Sequence, residues 1–111
     1  LEAALKTLHP EVDWYPSPRV LDLKSHYHGH AGVSEVWTAF TDSFEWYRWE
    51  PQQFIERGDR LAVLGRFRGL GRGSGVEVEG DFAHLWLFRN EKVVRWDGDT
   101  EKNMEVVSGW D

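Results

Sequence analysis

The hydrophobic positions pass from a helical period to a strand period near residue 45. Before that point Val33, Val36, Trp37, Phe40 and Phe44 recur at helical spacing, with Ser34, Glu35, Thr38 and Asp42 on the opposite side. This pattern predicts an amphipathic helix that starts near Gly32. Further upstream Leu1, Leu5 and Leu8 share one helical face, so residues 1–8 read as the end of a helix stopped by Pro10. Residues 12–15 form a short strand closed by Pro16 and Pro18, and the stretch to His30 reads as loop or short strand. After residue 45 the period falls to two. Strands are expected over 46–57, bulged near Pro51, and over 61–68, 76–89 and 92–99. Gly58-Asp59 and Asn90-Glu91 supply turns, the second with an Asn suited to positive φ. The glycine-rich run 69–75 is a connector, and residues 100–108 form a last helix stopped by Gly109. A helix, a strand, a helix and a four-stranded antiparallel meander make an α+β fold, with helices packed on one face of a curled sheet.

A two-residue turn at Asn90-Glu91 fixes a register for the last two strands. It pairs Arg89 with Lys92, Phe88 with Val93, Trp86 with Arg95, His84 with Asp97 and Phe82 with Asp99. One face of strand 76–89 carries Val76, Val78, Gly80, Phe82, His84, Trp86 and Phe88; the other begins with Glu77, Glu79 and Asp81. The first face is expected inside. By the same register His84, Arg95, Asp97 and Asp99 reach the enclosed side, while Leu85, Leu87, Val94 and Trp96 form an outer apolar patch that a second copy of the chain would cover.

Composition narrows the function classes. With 111 residues, 41% hydrophobic and 29% charged, the chain reads as one globular domain spanning 1–111. The net charge of −6 argues against nucleic acid, since Arg66, Arg68 and Arg72 are answered by Glu77, Glu79 and Asp81. No apolar run approaches the ~18 residues of a membrane span. The lack of cysteine removes disulfides and thiolate chemistry and fits a reducing compartment, so a cytoplasmic location is expected. Seven tryptophans imply an enclosed apolar space.

Four segments carry a family resemblance. His9-Pro10-Glu11-Val12-Asp13-Trp14 is similar to the HPDVxW opening of SnoaL-like domains. Tyr27-His28-Gly29-His30-Ala31-Gly32-Val33, followed by Trp37, resembles their YxGHxGVxxFW. Residues 73–86, from Gly73-Ser74-Gly75-Val76-Glu77 to His84-Leu85-Trp86, resemble GSGVEVEGxFAHVW. Asn90-Glu91-Lys92-Val93-Val94-Arg95 resembles DGKIVR, with Glu91 in place of the usual Gly. The resemblance covers nearly the whole chain. It implies the cone-shaped α+β fold of the nuclear transport factor 2-like (cystatin-like) superfamily, whose relatives include polyketide cyclases, ketosteroid isomerase, limonene epoxide hydrolase and scytalone dehydratase. These mostly work without cofactors. The family's long first helix is missing from the residues given, so one side of the cone mouth is expected to be more open.

Two functions follow as expectations. One is a cofactor-independent acid–base enzyme acting on a small, largely apolar molecule. Its candidate catalytic groups are His84, Asp97 as partner, Arg95 to stabilise negative charge, and Asp99 as a second carboxylate or a helix cap. Trp14, Tyr15, Tyr27, Trp37, Phe82 and Trp86 are the candidate ligand contacts. The other is a non-catalytic ligand-binding or dimerisation module. His26, His28 and His30 alternate and offer zinc three imidazoles. The resemblance instead makes His30 a structural residue at the helix entrance, so neither metal nor cofactor is expected.

Overall fold

The computed structural model describes residues 2–17 and 21–110; Leu1 and Pro18, invoked above, lie outside them. The elements run α1 Glu2–Leu5, β1 Leu8–Tyr15, β2 Tyr27–His28, α2 Gly29–Ser43, β3 Phe44–Arg57, β4 Arg60–Gly71, β5 Glu77–Arg89, β6 Lys92–Asp97 and α3 Thr100–Ser108. One six-stranded sheet has the order β2-β1-β6-β5-β4-β3. The expected meander β3 to β6 is present. The sheet is mixed rather than wholly antiparallel, because β1 lies parallel to β6.

Local pattern explains most elements. Val33, Val36 and Phe40 are the buried face of α2 and pack with Phe44, Phe67 and Phe82 into the core. The chain enters α2 through Gly29, whose φ of 70° suits glycine. His30 reaches back to the Leu8 carbonyl at 2.9 Å, the structural role its motif implies. The Asn90-Glu91 turn has positive φ at both residues, 49° and 65°, as a type I′ hairpin requires. β3 is irregular between Pro51 and Gln53, where a proline that cannot donate to the ladder is tolerated.

Two expectations need correction. The first helix is only Glu2–Leu5, and Leu8 to Pro10 belong to β1. Pairing with β6 outweighs the local helical spacing: Leu8 is the Cα partner of Val93, and the Thr7 carbonyl accepts from the Val93 amide. Pro10 falls in the irregular part of that pairing, between Leu8 and Asp13, so its missing N–H leaves no gap in the ladder. β6 also ends at Asp97 instead of reaching residue 99, and beyond it the edge of β5 is open at Ala83. Side chains from α3 close that edge. The Ala83 amide donates to Thr100 Oγ1 at 3.3 Å, and Asn103 Nδ2 donates to the carbonyls of Ala83 (2.8 Å) and Asp97 (2.9 Å). Asn103 is 1% exposed, so these bonds form where water cannot replace them.

The face of β5 expected inside is inward only from Phe82 on: Phe82 and His84 are buried and Trp86 and Phe88 pack against the core, whereas Val76, which precedes the strand, and Val78 are exposed at 58% and 44% and lie outside the core cluster. Among the described residues no helix is long and apolar enough to cross a membrane.

Candidate functional site

Sheet and helix α2 enclose a cavity of about 760 Å³. Val36, Trp37 and Phe40 come from α2, Tyr47 and Trp49 from β3, Val63 and Phe67 from β4, Phe82, His84, Trp86 and Phe88 from β5, and Trp14, Val93 and Trp96 from β1 and β6. Their inward alternation puts rings on nearly every side. Trp14 and Trp96 are paired across the parallel strands and stack at 4.3 Å, with Trp86 edge-on to Trp14 at 5.8 Å. The indole Nε1 atoms of Trp86 and Trp96 are buried and have no hydrogen-bond partner among the described residues. Orphaned donors of this kind cost about 1–3 kcal/mol each.

His84 lies deep in this wall, 8% exposed. Its ring is stacked on Phe82 at 4.4 Å and lies edge-on to Trp96 at 4.6 Å and Trp49 at 5.0 Å. No carboxylate meets it among the described residues. Burial among these rings penalises the imidazolium and pushes its pKa down from 6.5 to about 3. His84 is therefore neutral at pH 7, with one ring N–H to give and one lone pair to receive.

The expected pairing of His84 with Asp97 is not present. The register holds through Arg89–Lys92 and Phe88–Val93, then shifts, so that Leu87 opposes Arg95, Trp86 opposes Trp96 and Leu85 opposes Asp97. A β-bulge at Val94 moves everything after it to the other face. Trp96, expected outside, is inside at 7% exposure. Arg95 and Asp97 are on the outer face, where Arg95 Nε donates to Asp97 Oδ2 at 2.9 Å and its guanidinium lies 4.4 Å over the Tyr15 ring. Asp99 is the N-cap of α3, accepting from the Lys102 amide at 3.3 Å. Of the expected ligand contacts, Trp14, Trp37, Phe82 and Trp86 line the cavity. Tyr15 does not; it stacks on His26 at 4.7 Å on the outer side. Tyr27 packs partly buried beside Gly32, and its hydroxyl accepts from the Lys24 amide. Trp49 and Trp96, which flank His84, are among the cavity rings not expected as ligand contacts, with Phe40, Tyr47, Phe54, Phe67 and Phe88.

A second cluster lies on the outer surface where β1 meets β2. Asp13 and His28 are Cα partners. Asp13 Oδ1 accepts from His26 Nε2 at 2.8 Å and from His28 Nδ1 at 3.0 Å, and Glu11 Oε2 accepts from His28 Nε2 at 2.6 Å. A carboxylate on each ring nitrogen favours the imidazolium form of His28: hydrogen bonds to Asp13 and then Glu11 raise its pKa, and those from His28 and His26 lower that of Asp13. The three arginines expected on a solvated face are there, with Arg66 bridging Glu79 and Asp81, Arg68 facing Glu79, and Arg72 reaching the Thr41 and Phe44 carbonyls.

A mixed sheet curled with α2 around an aromatic-lined cavity defines the nuclear transport factor 2-like class. Within it the chain belongs to the SnoaL-like domain family, whose model matches residues 1–96. TerC, crystallised with polyporic acid, is similar at 30% identity over 97% of this chain and 85% of that one, with a TM-score of 0.77. A nuclear transport factor 2-like protein of unknown function from Burkholderia pseudomallei is similar at 27% identity, also over 97% and 85%, with a TM-score of 0.79. A Catenulispora acidiphila protein of ketosteroid isomerase-like fold, in complex with trimethylamine, shares the fold at 16% identity over 86% of this chain and 71% of that one, with a TM-score of 0.73. No curated protein matches the chain by sequence.

Proposed function

We propose that the cavity takes a small, flat, largely apolar molecule, and that His84 holds it through a hydrogen bond to a ligand oxygen. This contact would serve a cofactor-independent enzyme of isomerase, cyclase, hydrolase or dehydratase type. The observation that carries the reading is a single neutral imidazole set among aromatic rings in a cavity of about 760 Å³. A neutral imidazole can donate its N–H to a carbonyl or enol oxygen and stabilise negative charge developing there, in a site where few other dipoles compete. The stacked and edge-on indoles of Trp14, Trp86 and Trp96 suit a planar ligand. TerC's crystallisation with polyporic acid supports the same ligand class and makes that compound a first probe.

A second reading, binding without turnover, is favoured by Asp97 facing away from His84. One experiment separates the two. Polyporic acid titrated into the protein should quench tryptophan fluorescence saturably, and His84→Leu should weaken binding ~10-fold or more, the worth of one buried hydrogen bond. Chromatography of the mixture then distinguishes turnover from binding alone. An absence of quenching with this and related planar aromatics overturns the pocket reading.

For the outer face, Leu85, Leu87 and Val94 are each partly exposed. They support packing of a second copy there, without the Trp96 first assigned to that patch. Light scattering that gives a monomer at micromolar concentration overturns it.

A further inference from the structure

We propose that Asp13, His26 and His28 form a binding site for a divalent transition-metal cation of the zinc type, separate from the cavity and independent of its chemistry. One donor atom from each residue lies within 4.8 Å of the other two. The ligand atoms of a tetrahedral zinc, each roughly 2.0–2.1 Å from the metal, sit about 3.3 Å apart. The separations of 2.8 Å for His26 Nε2 to Asp13 Oδ1 and 3.0 Å for His28 Nδ1 to Asp13 Oδ1 are already near that spacing. Small side-chain rotations would place all three around one ion, with the remaining position open to water.

The donor set selects the metal. Two imidazoles and one carboxylate suit zinc and its first-row neighbours, whereas magnesium and calcium prefer oxygen alone. The surroundings are also those of a ligating histidine. Glu11 Oε2 already holds the outer nitrogen of His28 at 2.6 Å. With Nε2–H given to Glu11, a metal would displace the proton that Nδ1 shares with Asp13, giving the carboxylate–histidine–metal arrangement that fixes ring tautomer and orientation. Tyr15 stacks under His26 and holds its ring in place. All three side chains are open to solvent, between 40% and 52% exposed, so a cation can enter without a conformational change.

The site would act as a clip. Asp13 lies on β1, His28 on β2 directly before α2, and His26 in the connection between the strands. Their ligation would fasten the connection that includes Leu23, which lines the cavity, to the sheet. Metal binding would thus steady one side of the cavity.

The test uses the full chain stripped of metal and titrated calorimetrically with zinc chloride, beside a cobalt(II) absorption spectrum as a report of low-coordinate nitrogen and oxygen ligation. One zinc per chain is expected, together with a zinc-dependent rise in melting temperature. His26→Ala, His28→Ala and Asp13→Asn should each abolish saturable uptake. Glu11→Gln, which leaves all three ligands in place, should weaken it ~10–100-fold. Circular dichroism checks each variant for folding, and the Glu11 variant keeps the test decisive if an alanine variant fails. No saturable uptake by the wild type overturns the proposal, and so does wild-type affinity in both histidine variants.

Discussion

Acid should unfold this protein partly through His84. The unfolded chain binds a proton at this residue near pH 6.5, and the folded chain only near pH 3. Because the folded value is the lower one, the contribution is fully present above pH 6.5. It is lost as pH falls toward about 3, where both states are protonated. At about 1.4 kcal/mol per unit, the whole depression amounts to at most ~4–5 kcal/mol, and the part lost between pH 7 and pH 4.5 to ~2–3 kcal/mol. Water reaching the ring from the cavity would place the result toward the lower figure. The measurement is urea unfolding followed by tryptophan fluorescence at the two pH values, for wild type and His84→Leu. Carboxylates with depressed pKa values, such as Asp13, lose their contribution mainly below this window. His28, whose pKa is raised, acts in the opposite direction: its contribution is present below the unfolded value and lost as pH rises through the folded one. Both are common to the two proteins and cancel in the difference. Wild type should lose ~2–3 kcal/mol more than the leucine variant over this interval. An equal loss in both proteins would refute the account of His84 as a buried neutral imidazole.

Asn103→Ala should destabilise the fold by ~2–4 kcal/mol in the same assay, because it strands the buried carbonyl of Ala83 and the part-buried one of Asp97; a loss under ~0.5 kcal/mol, the range of ordinary surface changes, would mean that water replaces the amide. Gly65→Ala should cost ~1–3 kcal/mol or more, since a Cβ there overlaps the Glu50 backbone carbonyl across the β3–β4 pair, and calorimetric melting will register it. Asp97→Asn should leave cavity binding within about twofold of wild type, because Asp97 bonds Arg95 on the outer face and variants away from a site change little; a large loss in the fluorescence titration would place Asp97 back beside His84. In proton NMR, His28 should titrate above the usual imidazole range and move toward it in Glu11→Gln, as the removal of one hydrogen-bonded carboxylate requires.

The parts of the fold that were legible in the sequence are those in which local pattern and tertiary pairing agree. The inward set of β5 is an example: Phe82, His84, Trp86 and Phe88 share one face of the strand that the acids Glu77, Glu79 and Asp81 of the other face mark as the inner one, and no bulge interrupts the pairing with β4. The α2 face is another. What was illegible depends on long-range pairing. Nothing local says that β1 lies parallel to β6 or antiparallel to β2, so neither the strand character of Leu8 to Pro10 nor the meeting of Asp13 with His26 and His28 could be read from spacing. The alternation of His26, His28 and His30 suggested one imidazole trio, but α2 begins at Gly29 and turns His30 toward the Leu8 carbonyl. A carboxylate from a strand 15 residues away in sequence takes the third place beside His28. The signal available was the alternation of His9, Glu11 and Asp13, which puts both acids on one face of β1.

The bulge at Val94 had a local signal too, and its energetics explain why the hairpin register could not simply be extended. Arg95-Trp96-Asp97 alternates charge, ring, charge, which by itself turns Trp96 inward. Val93 also points inward, at 3% exposure. An odd-numbered step between two inward residues needs one extra residue, and Val94 is that residue. An uninterrupted ladder would have placed Arg95 and Asp97 against His84 and left Trp96 in water. Enclosing an ion pair costs several kcal/mol before its mutual attraction offsets any of it. Burying a tryptophan of ~150–250 Å² contributes ~4–6 kcal/mol. A bulge forfeits only about one ladder hydrogen bond, ~1 kcal/mol net. The exchange therefore favours the bulge by a wide margin, and it is also what removes the carboxylate from His84. The same residue that keeps the core apolar leaves His84 as a neutral imidazole in place of one half of a charged dyad, so at this point of the wall the cavity offers an uncharged hydrogen-bond donor.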